Sequence, residues 1–260
     1  MTSSSLAGTA LLIIWGSISP TEVDELAFND WWTNEHLPER LALPGFLRCR
    51  RFVAPATGTS LTAPPESKYL VWYEVDETNA LVSPQYMEKL DNPTLRTAQF
   101  MPLQATLHRC ACRVHASQVR PEFAFSGSGS GARGGAGVVG ASMVHVCFTP
   151  PPPARDRDAC LDALAARLTA LFAHAAVLAF HVVEQDEQTT RAGSQTKSYA
   201  GVSLQRSGLR CMVLVEFSES TVRPSGKLEA LKSMVVDWAV AEGSTDIESN
   251  IYGLICAAGG

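Results

Sequence analysis

The stretch Ser126-Gly-Ser-Gly-Ser-Gly-Ala-Arg-Gly-Gly-Ala-Gly137 decides how the rest of the chain is read. It holds no apolar side chain larger than alanine, so it cannot pack a core and reads as a flexible polar tract. It divides the 260 residues into two nearly equal halves. The expected organisation is a domain over residues 1–120, a Gly/Ser-rich linker over 121–138 and a second domain over 139–260. The glycines do not make a phosphate loop, because no Gly-Lys-Ser/Thr ending follows and no strand-to-helix frame surrounds them.

Upstream of the tract, residues 11–18 form an apolar run that predicts a buried strand, and Pro20-Thr-Glu-Val-Asp-Glu predicts a helix start with acids in its first turn. Strands follow at about 46–54 and 68–76. Ser83-Pro84 places a cap residue before a proline at the first helical position, which predicts a helix to Leu90, with another turn after Asn92-Pro93. A strand over 106–116 closes the half. Downstream, a strand at 139–148 precedes the Pro150–Pro153 run. A helix follows with Leu161, Leu164, Leu168, Leu171, Phe172 and Ala175 at helical spacing. Strands at 177–185 and 209–218, a helix over 225–241 stopped at Gly243 and a strand at 247–257 complete it. Both halves therefore read strand, helix, strand, strand, helix, strand. The predicted class is α+β, with two ferredoxin-like βαββαβ units packed sheet to sheet.

An apolar content of 46% supplies a core, and a net charge of -5 from 21 basic and 26 acidic residues gives no basic surplus for a nucleic-acid partner. Seven cysteines without a Cys-x-x-Cys pair read as reduced core residues of a cytoplasmic protein. The run Leu11–Trp15 follows no Lys or Arg and is too short to span a bilayer, so neither a signal sequence nor a membrane partner is expected. His108, Cys110 and Cys112 share a strand face, yet the outer pair would lie about 13 Å apart by strand rise, too far for one ion. No flavin, nicotinamide or metal motif is visible, no Gly-x-Ser-x-Gly elbow is present, and the expected cofactor set is empty.

The chemistry-bearing stretch is Phe28-Asn-Asp-Trp-Trp-Thr-Asn-Glu-His36-Leu-Pro-Glu-Arg40-Leu-Ala-Leu-Pro-Gly45. Residues four apart on a helix lie one above another, so Phe28, Trp32 and His36 share a stripe that Arg40 extends if the helix survives Pro38. With Lys68-Tyr-Leu-Val-Trp-Tyr-Glu74 and Ser83-Pro-x-Tyr86, this segment resembles the EthD-like branch of the dimeric α/β-barrel superfamily over about residues 10–116. The second half shares only the element order. The resemblance implies an intramolecular dimeric α/β barrel made by tandem fusion. It implies a pocket in the first half for small hydrophobic or aromatic molecules, without a bound cofactor, and it leaves a homodimer of the fused pair open.

His36 is the expected general acid or base, since an imidazole with an unperturbed pKa of about 6.5 both takes and gives a proton near neutrality. The rival role is a cap on carbonyls freed ahead of Pro38. Phe28, Asn29, Trp32, Arg40, Arg50, Trp72, Tyr73 and Tyr86 are the expected substrate-binding residues: arginine, asparagine and tyrosine to hold oxygens, aromatic rings to shape the pocket. The three arginines of the 46–54 strand need charge partners, which a substrate anion or Glu74 and Asp76 could supply. Cyclisation, dehydration or decarboxylation of a hydrophobic polyketide-like or aromatic substrate is the leading expectation. Cofactor-free monooxygenation and non-catalytic binding of a small molecule are the alternatives.

Overall fold

The computed structural model describes residues 4–19, 21–55, 67–123, 138–151, 157–205, 208–220 and 226–259. The tract from residue 124 to 137, residues 152–156 after the start of the proline run and the expected helix start at Ser225 lie outside the described residues. In hydrogen-bonding order the strands run β4-β1-β3-β2 in one group and β8-β5-β7-β6 in the other. In chain order they are β1 (Ala10–Ile18), β2 (Phe46–Val53), β3 (Tyr69–Val75), β4 (Gln104–Val119), β5 (Ser142–Thr149), β6 (Val177–Gln185), β7 (Cys211–Phe217) and β8 (Thr245–Gly259). The helices are α1 (Glu25–Trp31), α2 (Leu37–Leu41), α3 (Pro84–Asp91), α4 (Leu95–Phe100), α5 (Arg157–Thr169), α6 (Glu187–Ser194) and α7 (Gly226–Ala241).

The chain makes two compact units. One comprises Gly8–Arg113, Asp186–Ser207 and Ile255–Gly260. In it β1 pairs antiparallel with both β3 and β4, and β2 pairs with β3. All nine residues of β1 are buried, which is why its sequence is a continuous apolar run rather than an alternation. Leu12 and Ile14 of β1 and Tyr69, Val71 and Tyr73 of β3 share a core with Phe28, Trp31, Tyr86, Leu90 and Phe100 from the helices. Helix α1 begins later than Pro20 predicts, because Asp24 is its cap and accepts from the backbone N–H groups of Leu26 and Ala27. Gly45 turns the chain from α2 into β2 at φ 85°, where a side chain would also strike the Ala80 Cβ at 2.8 Å.

The other unit comprises Met1–Ala7, Val114–Gln185 and Gly208–Leu254. Here β5 pairs with β7 and β8, and β6 pairs with β7. Leu161, Leu164 and Leu168 of α5 and Leu228, Leu231 and Val235 of α7 cover Val144, Val146 and Phe148. Strand β6 begins and ends where the sequence predicts. By contrast, α6 and a 3-10 turn at Lys197–Tyr199 stand where no element was expected. All seven cysteines are unbridged, and no helix among the described residues is long and apolar enough to cross a membrane.

Candidate functional site

The helix that carries the Trp-Trp-Thr-Asn-Glu-His segment is not regular. Between α1 and α2 the residues Trp32–His36 form a single π-turn, and the Leu37 N–H reaches back to the Trp32 carbonyl. Pro38 explains the local geometry. It lacks an N–H and its ring crowds the carbonyl four residues back, and one wide turn relieves both problems. The side chain of His36 makes no capping hydrogen bond.

The stripe survives this turn in altered form. Trp32, His36 and Arg40 line one cavity together with Leu12, Ile14, Tyr73, Tyr86, Leu90, Met101, Gln104, Ser198 and Tyr199. The free volume between its walls is only about 10 Å³, close to what a single water needs. The walls come close together, so a ring-sized ligand must push side chains apart to enter. The aromatic packing behind the cavity is dense: Phe28 meets Trp32 edge-on at 5.1 Å, and the His36 ring lies 5.0 Å from Trp31 and 6.3 Å from Trp32.

Burial sets the electrostatics. The His36 pKa is driven well below 6.5, first by burial and then by the charge of Arg40, so the ring is neutral at physiological pH. Its Nδ1 lies 3.5 Å from Thr97 Oγ1. Arg40 is 2% exposed, and neither of its terminal nitrogens has a hydrogen-bond partner among the described residues. Its nearest carboxylate oxygen is Glu39 Oε2 at 3.9 Å, and its guanidinium lies 5.8 Å from the Tyr86 ring centroid. The Tyr73 phenol is held neutral, its pKa raised well above 10 chiefly by burial. Its hydroxyl closes no hydrogen bond of good geometry, although the Trp32 side chain is close enough to favour the ionised form slightly. The cavity thus sets a neutral base, a buried cation and an uncommitted phenol around apolar walls.

Of the expected site residues, the structure brings His36, Trp32, Arg40, Tyr73 and Tyr86 together. The other four sit elsewhere. Phe28 is fully buried behind Trp32. Asn29 accepts from Arg51 at 2.6 Å and donates to the Tyr69 hydroxyl at 3.3 Å. Arg50 pairs with Glu74 at 3.2 Å and lies 5.0 Å from the Trp72 ring centroid. Residues alternate across a strand, so Trp72 points to the sheet face opposite its neighbour Tyr73. The arginines of β2 find protein partners: Arg48 and Arg50 share Glu74, while Arg51 bonds Asn29 and lies over Tyr69 at 4.8 Å. Glu35 meets Arg96 rather than Arg40 or Arg48.

Gln104, Met101, Leu90, Ser198 and Tyr199 are lining residues that the sequence reading did not single out. The last two come from Asp186–Ser207, which belongs to the compact unit of the cavity. That segment is stitched down by Asp186 N to Ala111 O at 2.7 Å, Ser198 Oγ to Leu90 O at 2.7 Å and Gln205 N to Leu107 O at 2.8 Å. Behind Tyr86 and Tyr199 lies Arg109, which donates to Thr190 O at 3.0 Å and to the Tyr86 hydroxyl at 3.4 Å. A Cβ at Gly193 would lie 2.2 Å from its Nη2. A signal was present in the sequence: an unassigned connection of more than 20 residues between two strands is too long to be featureless. Elsewhere, His181 pairs with Glu216 at 3.0 Å and His115 with Asp162 at 2.8 Å, contacts between residues far apart in the chain.

No known protein-family profile matches the sequence, and no curated protein matches it. Solved structures do. An anthrone oxidase-like protein superposes with a TM-score of 0.58 at 13% identity, over 96% of this chain and 92% of its own. A provisionally assigned monooxygenase from Fusobacterium nucleatum subsp. nucleatum gives a TM-score of 0.49 at 6% identity, over 97% and 95%. One from Lactobacillus acidophilus gives 0.44 at 7%, over 96% and 95%. At 13% identity the likeness to the first of these establishes a shared fold and nothing finer.

Proposed function

We propose that this chain is a cofactor-independent enzyme of small-molecule metabolism, and that its reaction is oxygenation of an anthrone-like, enolisable aromatic substrate. One observation carries the reading: a neutral His36 and a buried Arg40 without hydrogen-bond partners face the same apolar cavity. A base beside a fixed cation suits removal of a proton from a carbon conjugated to a carbonyl, with the resulting enolate oxygen held by Arg40 and by the Tyr73 hydroxyl. The electron-rich carbanion reacts with dioxygen to form a carbon–oxygen bond. Loss of the second hydrogen on that carbon and of the distal oxygen as water leaves a new carbonyl. A methylene is oxidised by four electrons, and dioxygen supplies one atom to the product and one to water. The name of the anthrone oxidase-like structural neighbour supports this choice over cyclisation, dehydration or decarboxylation, which would use the same first step.

The finer family placement belongs to the same proposal: an EthD-like first domain over 1–120, fused through residues 121–138 to a second domain over 139–260 that has lost the site. The repeated strand orders β4-β1-β3-β2 and β8-β5-β7-β6 support it. Seven unbridged cysteines support a reducing, cytoplasmic setting.

The test is oxygen uptake with an anthrone, corrected for its spontaneous oxidation. The expected result is one dioxygen consumed per quinone formed, with the rate lost in His36→Gln. Product formation at an unchanged rate without oxygen would move the assignment to a lyase or cyclase. Turnover by His36→Gln within a few-fold of the parent would remove the base. Binding without turnover would leave a small-molecule carrier.

A further inference from the structure

A buried base that stays neutral passes one proton on as it takes the substrate's, and a row of hydroxyls leads away from His36. His36 Nδ1 lies 3.5 Å from Thr97 Oγ1, Thr97 Oγ1 lies 3.0 Å from Thr94 Oγ1, and Thr94 Oγ1 lies 2.7 Å from Glu35 Oε1. The two ends of this row differ in what they touch. His36 is 8% exposed, whereas the side chain of Glu35 is 31% exposed and sits beside Arg96 at 3.4 Å.

We infer that Thr97, Thr94 and Glu35 form a proton path between solvent and the buried imidazole. The inference rests on the reading of His36 as the base. The Trp31 indole N–H donates to Thr97 Oγ1 at 3.3 Å, which occupies an acceptor site there. The Thr94 hydroxyl is placed to donate either to Glu35 Oε1 or to Thr97 Oγ1; when its proton serves Glu35, whose ionised carboxylate can only accept, the Thr97 hydroxyl must rotate toward Thr94 to complete the row. In that rotamer His36 Nδ1 carries the proton and Nε2 keeps its lone pair for the substrate.

The step balances. As Nε2 takes the substrate proton, the Nδ1 proton passes to Thr97, the Thr97 proton to Thr94 and the Thr94 proton to Glu35, which releases it to water. The imidazole stays neutral, as its buried setting demands, and only its tautomer changes. When Nε2–H later protonates the departing oxygen, the same row runs inward and returns a proton to Nδ1. Proximity in sequence would not suggest this pairing: Glu35 and His36 are neighbours whose side chains diverge, and they communicate through two residues of another helix start.

Thr94 also caps α4 by accepting from the Thr97 N–H at 3.1 Å, so the test must separate transfer from structure. Glu35→Gln and Thr97→Val are measured against Thr97→Ser in steady state with the anthrone probe. The expected result is a kcat lower by on the order of ten- to a hundredfold for Glu35→Gln and Thr97→Val, with KM within twofold. Acetate or imidazole buffer should restore the rate of Glu35→Gln, and Thr97→Ser should retain it. The proton inventory in mixed light and heavy water should curve for the parent and straighten for Glu35→Gln. Parental kcat and inventory in both variants would overturn the path. So would a loss that neither buffer nor Thr97→Ser repairs. If His36→Gln also turns over at the parental rate, the base assignment itself has failed; if only His36→Gln is impaired, the path alone has.

Discussion

Arg40→Met should raise the thermal stability of the protein while removing its ability to hold a ligand. Arg40 is buried, and both terminal nitrogens lack hydrogen-bond partners among the described residues. Each buried donor left unmade costs about 1–3 kcal/mol, and desolvating the cation costs several kcal/mol more. Against this stand the Glu39 carboxylate at 3.9 Å, worth about 4 kcal/mol at an effective dielectric near 20, and the Tyr86 ring, worth about 0.5–1 kcal/mol. Glu39 keeps a second partner in Lys89 at 3.6 Å, so losing Arg40 does not strand it. Methionine fills similar volume without charge, and the net gain is about 1–2 kcal/mol. For a chain of this size that raises Tm by about 2–8 °C. Calorimetric melts of the parent and of Arg40→Met measure it. Titration with an enolisable phenolic ligand should show affinity lower by at least about tenfold, the loss of one charged hydrogen bond. A Tm that falls by several degrees would refute the reasoning, because it would mean that the guanidinium is satisfied within the protein.

Three further outcomes follow from the geometry. The His36 pKa lies well below its unfolded value of about 6.5. Unfolded chains therefore bind the extra proton first, and stability is full above pH 6.5 and declines as pH falls below it. The kcat/KM profile should be flat from pH 8 to 6.5 with its acid limb below, and Arg40→Met should move that limb upward in any residual activity. Gly193→Ala should lower Tm, because its Cβ would lie 2.2 Å from a buried, hydrogen-bonded Arg109 guanidinium; about 1–3 kcal/mol is expected for such overpacking, read by thermal melt. Glu74→Gln should cost about 3 kcal/mol by removing the carboxylate shared by Arg48 and Arg50, measured by urea denaturation.

Much of the architecture was written in local patterns. The continuous apolar run of β1, the Ser83-Pro84 cap of α3 and the leucine spacing of α5 each act within a few residues, so each element could be read before any tertiary contact was known. The cavity was legible where helical spacing governs it, at Trp32, His36 and Arg40. Asn29, Arg50 and Trp72 looked equally suitable because residue type says nothing about which sheet face meets a cavity. Register settles that, and it placed Trp72 against Arg50 and Phe52. Ser198 and Tyr199 were illegible for a different reason. Their segment is polar, its fold depends on backbone bonds to β4 and α3, and no periodicity of its own announces it.

The stitching of Asp186–Ser207 onto β4 and α3 has a consequence for how the molecule comes into being. During synthesis the imidazole, the guanidinium and the first two tyrosines emerge within the first third of the chain, but the wall that Tyr199 provides arrives more than 100 residues later. Until then Arg109 has no Thr190 carbonyl to donate to, so a nascent or truncated first half carries a charged group prepared for a partner not yet made. Contacts this distant in sequence slow folding. A protein cut at its glycine-serine tract should assemble its cavity only when both pieces meet.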